Sequence, residues 1–117
     1  MNNTAYDVAI IEEIFEMDPR TCRDVIQTFD HHWAEQVALM QQASAQEDLD
    51  ALMQAAHKLK GGSRTIGLLQ VGELCHRLEC AARNGDHDSG RELLPQIAPA
   101  AREACAWLRL QLARLEG

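Results

Sequence analysis

Aromatic residues are scarce: two Trp, two Phe and one Tyr, or 4% of 117 residues. No segment alternates apolar and polar positions with period two, so strands are not expected and a β sandwich is excluded. No apolar run approaches the roughly 18 residues that a membrane span needs. The first residues, MNNTAYDV, lack the basic and apolar regions of a signal peptide, which argues against export and for a cytoplasmic protein. The four cysteines (Cys22, Cys75, Cys80 and Cys105) form no CxxC pair and fall among apolar helical positions. They read as reduced core residues rather than as a disulfide framework. Positive charge is also short, with 11 bases against 18 acids and a net charge of −7. That balance disfavours nucleic acid and anionic membranes as partners.

What is present suits helices. Apolar residues make up 46% of the chain, enough for one core, and Ala, Leu, Gln and Glu abound. Residues 1–117 read as a single domain with no repeat and no long linker. The breakers are Pro19, Gly61-Gly62, Gly67, Asn84-Gly85 and the run from Asp86 to Gly90. A short helix fits about 5–16, with Val8, Ile11, Ile14 and Phe15 on one side. Asp18 reads as the N-cap and Pro19 as the first residue of a long helix, whose stripe is Cys22, Ile26, Phe29, Trp33, Val37 and Met40. Asp48 caps a third helix, with Leu49, Leu52, Met53, Ala56 and Leu59 inward. A fourth begins near Leu68 and buries Val71, Leu74, Cys75, Leu78 and Ala82. The last segment, about 88–116, carries Leu94, Ile97, Ala101, Ala104, Leu108, Leu112 and Leu115, with a cap at Asp88 or Ser89. Pro95 and Pro99 lie inside it and predict a kink or break near 94–98. The expected fold is all-α: an antiparallel up-down-up-down four-helix bundle with a short N-terminal capping helix.

Charge is unevenly distributed. Residues 1–50 hold 11 acids and two bases, whereas 51–117 hold seven acids and nine bases. The chain's only lysines, Lys58 and Lys60, flank His57, and Arg64 follows. This is the one stretch that would welcome an anion. The helical pattern turns His57 toward solvent, where a histidine alone would be an ordinary surface residue. Gly61, four residues on, stacks on the same face. A glycine inside a helix costs about 1 kcal/mol relative to alanine, and here two occur together. They either end the helix or let another molecule approach His57 closely.

The run AHKLKGGSRTIGL, residues 56–68, resembles the signature of histidine-containing phosphotransfer (HPt) domains of bacterial multistep phosphorelays. In that signature a histidine is followed by a lysine three on, a glycine four on, small residues, and an apolar-Gly pair. Here these are His57, Lys60, Gly61, Gly62-Ser63 and Ile66-Gly67. Gly62 departs from the commoner serine or alanine, which predicts a more flexible helix end. The family places a Gln or Glu on the next helix, 22 residues on, and that residue here is Glu79.

The resemblance implies that His57 is phosphorylated, accepting from the aspartate of a response-regulator receiver domain and passing the group to another receiver. Glu79 would accept a hydrogen bond from Nδ1–H and leave Nε2 to attack phosphorus. Lys58 and Lys60 would balance the phosphoryl oxygens, while Gly61, Gly62, Arg64 and Gln54 would meet the partner. No P-loop, nucleotide lid or acidic Mg²⁺ cluster is recognisable, so no cofactor is expected in this chain and Mg²⁺ belongs to the receiver. The implied partners are receiver domains and a hybrid sensor histidine kinase, met by a monomeric, free-standing phosphoryl carrier without ATP-dependent kinase activity. The alternative is a helical adaptor that binds signalling proteins without being phosphorylated. A metal site at His76 and Cys80 has tolerable spacing but no further ligand pair, so none is expected.

Overall fold

A computed structural model describes residues 5–116, in which every regular element is a helix. The helices are α1 (Val8–Phe15), α2 (Pro19–Ala45), α3 (Leu49–Thr65), α4 (Leu69–Arg83) and α5 (His87–Glu116). Asp7, Asp18 and Asp48 accept from the backbone N–H groups of Ile10, Thr21 and Ala51. Each satisfies a donor that the first helical turn leaves orphaned, worth about 0.5–2 kcal/mol over alanine. Pro19 opens α2 as the sequence predicts.

Two local expectations are corrected. The cap of α5 is Asp86, not Asp88 or Ser89: its carboxylate accepts from Ser89 N at 3.1 Å and Ser89 Oγ at 2.6 Å. Gly85, at φ +71°, turns the chain out of α4 so early that Asp86 already stands at the next helix start. Of the kink or break expected near 94–98, the break does not occur: α5 is one helix of 30 residues. Both prolines lie on its exposed side, so the carbonyls they leave unpaired face water. Meanwhile Leu93, Ile97, Ala101, Ala104, Leu108 and Leu112 hold the inner side in the core. Leu93 thus takes the place expected for Leu94, and Val8 and Leu115, expected inward, are exposed.

Both α2 and α4 pack against α3 and against α5. The core where they meet contains the fully buried Ile26, Met40, Leu59, Leu78, Ile97 and Leu108. Truncating one of these leucines to alanine costs about 2–5 kcal/mol. Cys22, Cys75 and Cys105 are buried thiols within it, and burial pushes Cys75 and Cys105 up to about 12. Cys80, expected in the core, is only half-buried. Cys80 instead borders a surface cleft between α4 and α5.

The chain before α1 seals the α3–α4 turn. Asp7 N donates to Gly67 O at 2.8 Å, Gln70 N donates to Ala5 O at 3.1 Å, and Tyr6 stacks on Trp107 at 4.1 Å. Gly67 has φ +80°, and a Cβ there would lie 3.0 Å from the Asp7 carbonyl oxygen. Handedness and space both demand glycine. This seal fixes the C-terminal end of α3, about two turns beyond His57.

Candidate functional site

The Gly61-Gly62 pair does not end α3, which continues to Thr65. Ser63 Oγ donates to Leu59 O at 2.7 Å and Thr65 Oγ1 to Gly61 O at 2.8 Å, satisfying carbonyls around the glycines. Ala56, Leu59 and Ser63 are buried, which turns His57 outward with its side chain 66% exposed. Gly61 lies one turn further on the same face, and a Cβ there would meet nothing within 4 Å. Nothing inside the protein requires that glycine.

Beneath the ring lies a buried carboxylate. Glu79, projecting from α4 with a side chain 5% exposed, places Oε2 at 3.1 Å from His57 Nδ1. The same oxygen accepts from Arg83 Nη2 at 2.9 Å, while Lys60 Nζ pairs with Oε1 at 2.6 Å, off the hydrogen-bond axis. Burial alone would raise the Glu79 carboxyl, but the Lys60 ammonium and the His57 ring outweigh it and hold it below its ordinary range. It is therefore ionised at neutral pH. An ionised carboxylate only accepts, so the proton between the two groups sits on Nδ1. In the neutral ring the Nε2 lone pair is then free and faces solvent.

The other residues singled out in the sequence are dispersed around this pair. Lys58 is exposed and lines a cleft with Gln36 and Gln54 on the α2 side; Gln54 donates to Asp50 at 3.0 Å. Lys60, 15% exposed, is engaged with Glu79 rather than standing free beside the ring. Arg64 lays its stem over Gly72 of α4, where a Cβ would lie 3.1 Å from Arg64 Cγ. Gly62, where a more flexible helix end is expected, is packed against another helix. The ring of His32 from α2 sits against it, and a Cβ at 62 would come within 2.8 Å of His32 Cδ2. Sequence reasoning missed His32 and Arg83. Arg83 was findable, since it follows Glu79 by four residues on one helix; His32 was not, because its contact crosses between helices. His76 Nε2 and Cys80 Sγ stand 3.6 Å apart. Among the described residues, no group of three or more His, Cys, Asp or Glu is placed to hold a metal ion. No described helix is long and apolar enough to cross a membrane.

An all-helical fold that presents an exposed histidine on a buried carboxylate defines a class. The model of the Hpt domain family matches residues 24–117, and the chain belongs to that family. Its function is accordingly histidine phosphotransfer in phosphorelays. Among solved structures, it is similar to histidine-containing phosphotransfer protein B of Pseudomonas aeruginosa PAO1. That match has a TM-score of 0.87 at 22% identity and covers 97% of this chain and 98% of the other. No curated protein matches.

Proposed function

We propose that His57 is the phosphorylated residue of a single-domain carrier that takes a phosphoryl group from one receiver domain and gives it to another. The observation that carries this reading is the exposed ring whose Nδ1 lies 3.1 Å from buried Glu79. In the forward step the Nε2 lone pair attacks phosphorus and forms a P–N bond. The P–O bond to the receiver aspartate breaks, and the aspartate leaves as a carboxylate. The Nδ1 proton stays in place, and the positive charge that develops on the ring is met by Glu79. Lys60 helps to keep that carboxylate ionised, Arg83 helps to aim it, and exposed Lys58 stands ready for the phosphoryl oxygens. The reverse step, onto a second receiver, uses the same atoms. Mg²⁺ and the acidic pocket come from the receiver, and this chain contributes no cofactor.

Gly61 gives the partner backbone a smooth approach. Gly62 borders an apolar cleft of about 430 Å³ with Val25, Phe29, His32 and Ile66, while Gln54 lies two turns back along α3 and Arg64 on its α4 side. An apolar side chain of the receiver fits there. The helices α2 to α5 form an up-down-up-down bundle with α1 as its cap, acting as a cytoplasmic monomer downstream of a hybrid sensor kinase. The test is incubation with a phosphorylated receiver domain. An acid-labile, alkali-stable label is expected on the wild type and not on His57→Gln. A receiver that binds without transferring label would favour an adaptor instead.

A further inference from the structure

The geometry points to His32 as a positioning residue for the phosphotransfer turn, an inference that rests on His57 being the phosphoryl acceptor. Two independent contacts tie the His32 ring to one turn of α3. Its Cδ2 and Nε2 lie 2.8 and 2.9 Å from where a Cβ at residue 62 would stand, so the ring occupies the space that Gly62 leaves open. Its Nε2 also lies 3.3 Å from the carbonyl oxygen of Lys58, the residue next to His57. A carbonyl can only accept, so Nε2 carries a proton and donates. That carbonyl is the one residue 62 reaches in α-helical register, and its second lone pair serves the ring.

The turn needs such a brace. Gly61 and Gly62 are both poor helix formers, they follow each other, and only Ser63, Arg64 and Thr65 remain before α3 ends. A turn of this composition frays without outside support. On one flank the support reaches Glu79 through the side chains of His57 and Lys60, which are themselves part of the chemistry. On the other flank His32 holds backbone alone. It touches neither Glu79 nor the exposed face of the imidazole. It therefore acts through the turn, by setting where His57 stands relative to Glu79 and to an incoming phosphorus.

The inference predicts that substitutions at 32 and 62 reverse each other's sign. In the wild-type background Gly62→Ala must expel the His32 ring and loosen the turn. With His32→Ala already in place, the same change fills the vacated space and adds a better helix former. The experiment compares wild type, His32→Ala, Gly62→Ala, the double variant and His32→Gln, whose amide retains a donor for the Lys58 carbonyl. Phosphoramidate serves as a small-molecule donor that transfers its phosphoryl group with loss of ammonia and needs no receiver. Labelling of His57 is followed by phosphorus NMR at a temperature where each variant is fully folded. Each alanine single variant should label about 10-fold more slowly, as small misplacements of reacting groups do, whereas the double variant should return to within about twofold of wild type. His32→Gln should fall between. Amide exchange of residues 61–65 should rise in the single variants and recover in the double, while residues 104–108 of α5 stay unchanged. Equal effects of Gly62→Ala in both backgrounds, or wild-type labelling in His32→Ala, would overturn the inference and leave His57 as the acceptor. Absence of label on wild-type His57 would instead overturn the proposed function itself.

Discussion

The two flanks of α3 solve different problems. Toward α4, three cationic or protonated groups converge on one buried carboxylate, and the contacts run through side-chain ends. Toward α2, a ring lies on a glycine and a side chain meets a backbone carbonyl. In the proposed mechanism the first flank governs what His57 can do, since it places a buried carboxylate at Nδ1. In the inference drawn from His32 the second governs where His57 stands. The adjacent glycines divide in the same way: Gly61 faces open space and Gly62 faces His32. Identical neighbouring residues thus meet different surroundings, one open to solvent and one covered by a resident ring.

The largest break in that comparison is removal of the group that both flanks serve. His57→Gln should abolish label transfer while leaving the melting temperature nearly unchanged, because the ring is 66% exposed. Residual labelling at a comparable rate would move the acceptor elsewhere. Next comes the α4 flank itself. Glu79→Ala should slow transfer by roughly 10- to 100-fold, the effect of losing about 1.4–2.7 kcal/mol of orientation and charge stabilisation. Glu79→Gln, still an acceptor through its amide oxygen, should lose much less. Nitrogen NMR of His57 should then show the Nδ1–H tautomer in wild type and a mixture in the alanine variant. Phosphorylation on Nδ1 rather than Nε2 would exclude the Glu79 mechanism.

A receiver-specific effect should follow on the open face. Gly61→Glu adds bulk and charge where, among the described residues, nothing beyond the local helix backbone lies within 4 Å, so folding should be unharmed. Transfer from a receiver should drop at least about 10-fold through repulsion, while phosphoramidate labelling should persist. If both donors slow equally, the glycine matters to the helix and not to docking.

Acid titration probes the α4 flank without touching α2. Because the Glu79 carboxyl is held below its ordinary value of 4.5 when folded, its pairing stabilises the protein fully above that value. The stabilisation is lost as pH falls from about 4.5 through the lowered folded value. Denaturant melts across that window should steepen toward acid for wild type and flatten for Glu79→Gln; parallel curves would show that the pairing adds nothing to folding. The smallest effect belongs to Arg83, whose side chain is 57% exposed. Arg83→Ala should lower the melting temperature by about 2 °C, as the loss of about 0.3–0.5 kcal/mol implies. A larger drop would mean that Arg83, not Lys60, holds the carboxylate in place.

Much of the molecule follows from neighbours in the chain. The positions of α1 to α4, the Asp18 and Asp48 caps, and the outward face shared by His57 and Gly61 rest on periodicity and capping. Those forces act within about one turn, so sequence order exposes them. The failures have one source as well. The prolines of α5 were weighed as local breakers, yet a buried stripe along the opposite side outweighs the carbonyls they leave to water. Gly62 taken locally implies a looser turn, yet a side chain 30 positions away fills the space above it.

By itself the sequence determined the course of α1 to α4, the Asp18 and Asp48 caps and the outward face of His57, because each depends on spacings of three or four residues. Only the tertiary structure decided that Glu79 is buried and held by His57, Lys60 and Arg83 together. It alone brought His32 onto Gly62 and Asp7 onto Gly67. Such contacts depend on which helix lies beside which, and on their rotation and height. Those variables are fixed when the apolar stripes of several helices pack into one core, which no single stretch of chain encodes.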